Sequence, residues 1–387
     1  MSQPGYFKHP TISGDNVVLV CEGNLWSVPI SGGTAVRITT GDQDCSFPRF
    51  SPDGSQIAYV SDENGPSELY VISSAGYAPA RITYLGGHIS LSGWSSNGKK
   101  LLFAANSGVA FSRTSCAYSV SAQGGQPTAL PLGLLESFTS KDKATVIGTN
   151  EIDSASWKRY RGGQKGELWI DSDGSGEYKH FVRDLNGNVV CPMWVGDKVY
   201  FVSDHEGIAN IYSCLPDGSQ VRKHTNHTEY YVRFPSTDGQ RIVYTAGGDL
   251  FVLDPHKNIN EKIAVDVPIL SRQTERKLVS AAQWLESFAP HPDGHSIALI
   301  ARGQPMVRPN WGGHSTQHGT GNRTRYRLID WMPDGKRFVV VNDAAGHERL
   351  EVHFADQSKK PVIVCSQDLG RFVELTASDK LVAVTNH

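Results

Sequence analysis

Short apolar runs separated by turn residues recur along the whole chain. Ile57-Ala58-Tyr59-Val60 follows Pro52-Asp53-Gly54, and Leu101-Leu102-Phe103 follows Asn97-Gly98. Further copies are Asp238-Gly239 before Ile242-Val243-Tyr244, Pro292-Asp293-Gly294 before Ile297-Ala298-Leu299, and Pro333-Asp334-Gly335 before Phe338-Val339-Val340. Weaker copies stand at Gly14-Asp15, Asp142-Lys143, Asp197-Lys198 and Asp379-Lys380. Each reads as strand, tight turn, strand: Asp and Asn fold back on the local backbone, and Gly supplies a positive φ. Helical periodicity is almost absent. The pattern predicts an all-β chain.

Two further phrases set the register. Asp62, Asp204 and Asp343 are each followed by Gly three positions on, then by an aliphatic residue four positions later (Leu69, Ile211, Leu350). This spacing predicts the turn between the second and third strands of one unit. Arg37-Ile38-Thr39, Arg81-Ile82-Thr83 and Lys223-His224-Thr225 then close a unit. Equivalent glycines lie 40 residues apart from Gly14 to Gly54 and 44 from Gly54 to Gly98. Four strands per unit at this period predict propeller blades, with inner strands buried on both faces. Counting turns predicts a six-bladed β-propeller over 1–266, a linker over 267–280, and the first two and a half blades of a second β-propeller over 281–387. The fourth blade carries an insertion, 150–164. No strand exchange between the ends of the first ring is visible, so closure by side-chain packing alone is expected.

Composition narrows the function. The 37 Lys and Arg against 39 Asp and Glu form no basic run, so nucleic acid is not an expected partner. No apolar stretch reaches the ~20 residues of a membrane span, and the first residues show no signal-peptide pattern. Membrane association is therefore not expected. Six scattered cysteines without a CxxC pair read as core residues in a reducing compartment. The chain has no Gly-x-Ser-x-Gly elbow. His347-Glu348 begins like a zinc-protease motif but lacks the second His, and it sits on the repeated turn. His314 and His318 are four apart, in a stretch too Gly-rich for a helix. No metal or other cofactor is expected.

Trp157-Lys158-Arg159-Tyr160-Arg161-Gly162-Gly163-Gln164-Lys165-Gly166-Glu167-Leu168-Trp169-Ile170 resembles the fourth-blade insertion of the tricorn protease family. Arg222 to Thr225 with Tyr230-Tyr231, and Glu286 to Ala289 with Pro292-Asp293-Gly294, resemble the same family. The resemblance implies a serine-type peptidase of the cytoplasm, a homo-oligomer (hexameric in the family) that degrades short peptides. A six-bladed and a seven-bladed propeller then precede PDZ-like and catalytic domains, which would be this chain's own downstream partners. No catalytic residue is carried over to this chain. Its implied role is substrate gating, product routing and assembly. Arg159, Arg161 and Lys165 are candidates for meeting a peptide carboxylate at a channel mouth, since an arginine fork pairs with carboxylates. The alternative for them is a loop packed on a neighbouring blade. For the whole chain, the alternatives are a stand-alone TolB-like propeller that binds a protein or peptide and catalyses nothing, and a propeller peptidase of the prolyl oligopeptidase kind.

Overall fold

The computed structural model describes residues 6–41, 43–111, 114–268, 280–320 and 324–386. Two compact units are separable, Met1–Glu275 and Arg276–His387. The sequence-predicted linker falls mostly at 269–279, outside the described residues. Nearly all regular structure is strand, apart from a 3-10 turn at Ala281–Trp284. Among the described residues, no helix is long and apolar enough to cross a membrane.

The described residues of the first unit form six four-stranded antiparallel sheets, each a meander in chain order. The first comprises Lys8–Ser13, Asn16–Cys21, Asn24–Pro29 and Val36–Arg37. The second comprises Cys45–Phe50, Gln56–Ser61, Glu68–Ser73 and Gly76–Arg81. The third to sixth sheets open with Ile89–Trp94, Ser137–Lys141, Val189–Val195 and Arg233–Thr237. These six opening strands neighbour one another in a closed cycle. The fold is a β-propeller.

Period-two alternation explains the packing. In Asn16–Cys21, Val17 and Leu19 face the sixth sheet while Val18 and Val20 face the second. In Gln56–Ser61, Ile57 and Tyr59 face the first sheet while Ala58 and Val60 face the third. Every wedge between successive sheets thus holds its own apolar cluster. The strands buried on both faces are the second and third of each sheet, as in Lys198–Ser203 and Asn210–Cys214. The opening strands are only half buried, because one side faces the axis. The burial on both faces expected of inner strands is thus found in the second and third strands.

The repeated phrases are hydrogen-bonding devices. Thr39, Thr83 and Thr225 each accept the backbone N–H of Leu25, Leu69 and Ile211 at 2.9 Å. Each hydroxyl then donates to a buried side chain: Asn24 at 3.0 Å, Glu68 at 2.6 Å and Asn210 at 2.8 Å. Asp62, Asp204 and Asp343 accept the N–H of the residue before their own sheet's first strand: Asp44, Asn188 and Arg325. The Gly three positions after each Asp closes the turn onto its carbonyl, at 2.8–3.0 Å.

The first ring closes with backbone as well as side chains. Val265–Asp266, beyond the sixth sheet, pairs in parallel with Gly33–Thr34, which lies between the third and fourth strands of the first. Gly33 N–H donates to Ala264 O at 2.9 Å, and Ala35 N–H to Asp266 O at 2.8 Å. Closure by side-chain packing alone is therefore overturned. A two-residue clip carries too little pattern to be read from sequence. Gly32 is required there: its φ is +85°, and a Cβ would come within 2.5 Å of Ala264 O.

The second unit holds two four-stranded sheets, opening at Leu285–Pro290 and Tyr326–Trp331, and a ribbon of Phe372–Ala377 with Val382–Asn386. Its core lies between the two sheets and between the second sheet and the ribbon.

Three substitutions test these devices. Thr83→Val removes two hydrogen bonds and leaves the fully buried Glu68 carboxylate short of a donor. It should lower unfolding free energy by about 1–3 kcal/mol, and by more than Thr39→Val, whose partner is a neutral amide. Gly32→Ala should cost at least ~1 kcal/mol and loosen the clip. Urea unfolding checks the stability of all three, and amide exchange at Gly33 and Ala35 checks the clip.

Candidate functional site

On the axis of the first unit lies a cavity of about 540 Å³. Its wall is made by irregularities in the opening strands. Five of the six carry a register shift: at Lys8/Thr11, Ser46/Arg49, Leu91/Gly93, Val190/Met193 and Arg233/Ser236. At these bulges His9, Phe47, Cys191 and Phe234 take φ of 45–55°, a conformation that non-glycine residues rarely adopt. A bulge breaks the in–out alternation and re-aims a side chain. All four residues line the cavity. The fourth opening strand, Ser137–Lys141, pairs without interruption. Its sheet instead sends Ile152 and Asp153, from the insertion, to the axis.

One side of the cavity is aromatic. The His9 ring lies between Phe47, at 4.5 Å between centroids, and Phe234, at 4.0 Å. Burial, with Arg49, Lys8 and Arg233 nearby, pushes the His9 pKa down to about 3, so the imidazole is neutral near pH 7. The Cys191 thiol donates to Ile152 O at 3.0 Å. Burial, reinforced by Asp153, raises its pKa, and the group is a protonated thiol.

The charged groups divide unequally. Asp153 accepts a two-pronged bond from Arg233, with Nε at 2.8 Å. Asp238 pairs with Arg241 at 2.9 Å. Arg49 has no carboxylate within ion-pair distance among the described residues. Its Nη1 donates to Pro48 O at 2.8 Å and its Nε to Ser92 O at 3.3 Å. These two carbonyls hold the planar fork in place. Trp94 Nε1–H caps the Arg49 carbonyl at 2.9 Å and ties the second sheet to the third. Desolvation pushes the Arg49 pKa down to about 10, which leaves it cationic at neutral pH. The cavity therefore presents one uncompensated, pre-oriented cation beside an aromatic wall.

The sequence-predicted candidates do other work. Arg161 bonds the fully buried Asp204 through Nη1, at 3.1 Å, and the Asp204 carbonyl through Nη2, at 2.9 Å. The Arg159 backbone N–H reaches Asp204 Oδ2 at 2.8 Å. Lys165 pairs with Glu167 at 2.8 Å. All three tie the insertion to its own and the fifth sheet, and none lines the cavity. The insertion does reach the axis, through Asp153 rather than through its basic residues. In the second unit His314 is exposed while His318 is buried against Phe338. His347 bonds Ser366 O at 2.9 Å, and Glu348 accepts Arg327 and the Phe372 N–H. Neither pair assembles a metal centre.

Arg49 sits one residue before the phrase Phe50-Ser51-Pro52-Asp53-Gly54. The only sequence signal for it is a charge inside an opening strand. Fold and cavity together define a β-propeller with a polar axial pocket. The family model described as the tricorn protease N-terminal beta propeller domain matches residues 4–259. The chain belongs to the tricorn protease family. It is 34% identical to a tricorn protease homolog of Saccharolobus solfataricus over 99% of this chain and 35% of that protein. It is 32% identical to the tricorn protease of Thermoplasma acidophilum over 80% of this chain and 29% of that protein. A crystal structure of the tricorn protease superposes with a TM-score of 0.82 at 28% identity, over 99% of this chain and 38% of that one. The chain thus spans about a third of the length of these relatives.

A neutral imidazole, half-buried in the axial cavity, should make the first unit acid-sensitive. Between pH 6.5 and about 3 the unfolded chain takes up a proton at His9 that the folded chain refuses. Stability is then full above pH 6.5 and falls as pH drops through that window. His224, with its pKa lowered to about 4 mainly by burial, adds in the same direction. Thermal melts at pH 7 and 4.5 should show His9→Gln losing roughly 1–3 kcal/mol less on acidification than the unaltered chain.

Proposed function

We propose that this chain is the non-catalytic propeller portion of a tricorn-like serine-type peptidase. Its role is to admit and route short peptides, with bond cleavage done by domains that lie outside this sequence. Family membership and the chain's one-third share of its relatives support this reading. Action in the cytoplasm, within a homo-oligomer, belongs to the same proposal.

One observation carries the peptide part: among the described residues, Arg49 is the one guanidinium lining the axial cavity with no carboxylate at ion-pair distance, and it lies beside Phe47 and Phe234. A monovalent carboxylate cancels that charge without leaving a second one buried. Apolar side chains next to a free carboxylate suit the aromatic wall. Charge-assisted bonds of this kind are worth about 1.5–3 kcal/mol, or roughly 10–100-fold in affinity.

The test uses a fluorescent tetrapeptide with an apolar last residue, as free acid and as C-terminal amide. The acid should bind the chain at least ~10-fold more tightly than the amide, and Arg49→Gln should abolish the difference. No peptide should be hydrolysed. Equal binding of acid and amide would remove Arg49 from the reading, and turnover by the purified chain would overturn the non-catalytic assignment.

A further inference from the structure

The second unit carries a ligand cluster unrelated to the axial cavity. The recurring Pro-Asp-Gly turn brings its first, third and fifth side chains together. In the second sheet, Ser51 Oγ and Ser55 Oγ both bond Asp53 Oδ1, at 2.6 and 2.9 Å. In the third, Ser95 Oγ bonds Asn97 Oδ1 at 2.8 Å. At Leu285–Pro290 into Ser296–Ala301, the same turn reads His291-Pro292-Asp293-Gly294-His295. Imidazoles replace hydroxyls at the first and fifth positions, and the carboxylate stays at the third. One donor atom from each of His291, Asp293 and His295 lies within 4.8 Å of the others.

The tautomer of the buried member is fixed by its surroundings. His291 Nε2 lies 2.8 Å from Gly335 O, and a carbonyl only accepts, so Nε2 carries the proton. Nδ1 is therefore the lone-pair nitrogen, and it accepts the Asp293 N–H at 3.0 Å. Histidine ligands commonly donate their second ring N–H to a backbone carbonyl in this way. The ring is packed edge-on against Trp331 at 4.6 Å. The His295 ring lies against it, 3.8 Å between centroids. The turn itself is pinned: Gly294 N–H bonds His291 O at 2.8 Å, and Asn310 Nδ2 bonds Gly294 O at 2.7 Å.

We propose that His291, Asp293 and His295 form a binding site for a divalent transition-metal ion of the Zn²⁺ and Ni²⁺ class. Two imidazoles and one carboxylate suit these borderline ions, and the remaining positions stay open to water. Bonds of about 2.0–2.2 Å require donors roughly 3 Å apart. Asp293 and His295 are exposed and can close the difference by rotation, while His291 stays fixed. The ion takes the Nδ1 lone pair from the Asp293 N–H, so the peptide at Asp293 shifts within the turn as the ion enters.

The test is calorimetric titration of ZnCl₂ and NiCl₂ into tag-free, chelator-stripped chain, with thermal melts alongside. Asp293→Asn keeps the turn, since Asn97 serves the same position in the third sheet. His295→Ala removes an exposed ring. Both variants should melt like the unaltered chain in chelator, bind at least ~10-fold more weakly, and lose the metal-induced rise in Tm. Saturable binding unchanged in both variants would place the metal on other histidines and overturn the proposal, as would no binding at all. Should His295→Ala fail to fold, Asp293→Asn alone decides.

Discussion

The structure of the first unit depends on one constraint: each of its sheets is apolar on both faces. A sheet of this kind cannot stand at an edge. Val17 with Leu19, and Val18 with Val20, need a neighbour on opposite sides. Only a ring supplies a neighbour to every sheet, and the wedge between the sixth and first sheets must be filled like the rest. Phe7, Ile12 and Trp26 meet Val243, Leu250 and Val252 there. The parallel clip of Val265–Asp266 with Gly33–Thr34 adds directional bonds to that seam. Its few hydrogen bonds are worth about 0.5–1.5 kcal/mol each, which is small beside the buried area of a wedge. Their function is register rather than bulk stability, since apolar contact alone does not specify how two sheets align along the strand.

How much of this the sequence discloses follows from which interactions are local. The turn phrases are legible because each closes over a few residues, and Thr83 or Asp204 must recur wherever the same bond recurs. The apolar runs are legible because both faces of the middle strands are buried. Bulges are not. Nothing in Phe7-Lys8-His9-Pro10 marks His9 for a positive φ, because the cause lies in neighbouring strands that crowd the axis. The lining of the axial cavity is illegible for the same reason. Basic residues in the insertion attract attention as a cluster, yet Arg161 is held by Asp204, forty-three positions away. Arg49 is a single charge in an apolar strand, and its importance lies in the partner it lacks.

That lack follows from how the ring departs from sixfold regularity. The fourth opening strand has no bulge, and its sheet fills the axis with the insertion instead. Asp153 arrives by that route and takes Arg233 from the sixth sheet. Arg241 is held by Asp238 within its own turn. With Asp153 and Asp238 engaged, no carboxylate among the described residues is left for Arg49, and the two carbonyls that orient it offer dipoles rather than charge. The insertion thus acts on the cavity indirectly. It anchors itself through Arg159 and Arg161 on Asp204, which fixes the path of the loop through Asp153. It thereby decides which of the axial arginines remains unpaired. A loop that packs as scaffold and a loop that shapes the axial cavity are here the same loop, read at different residues.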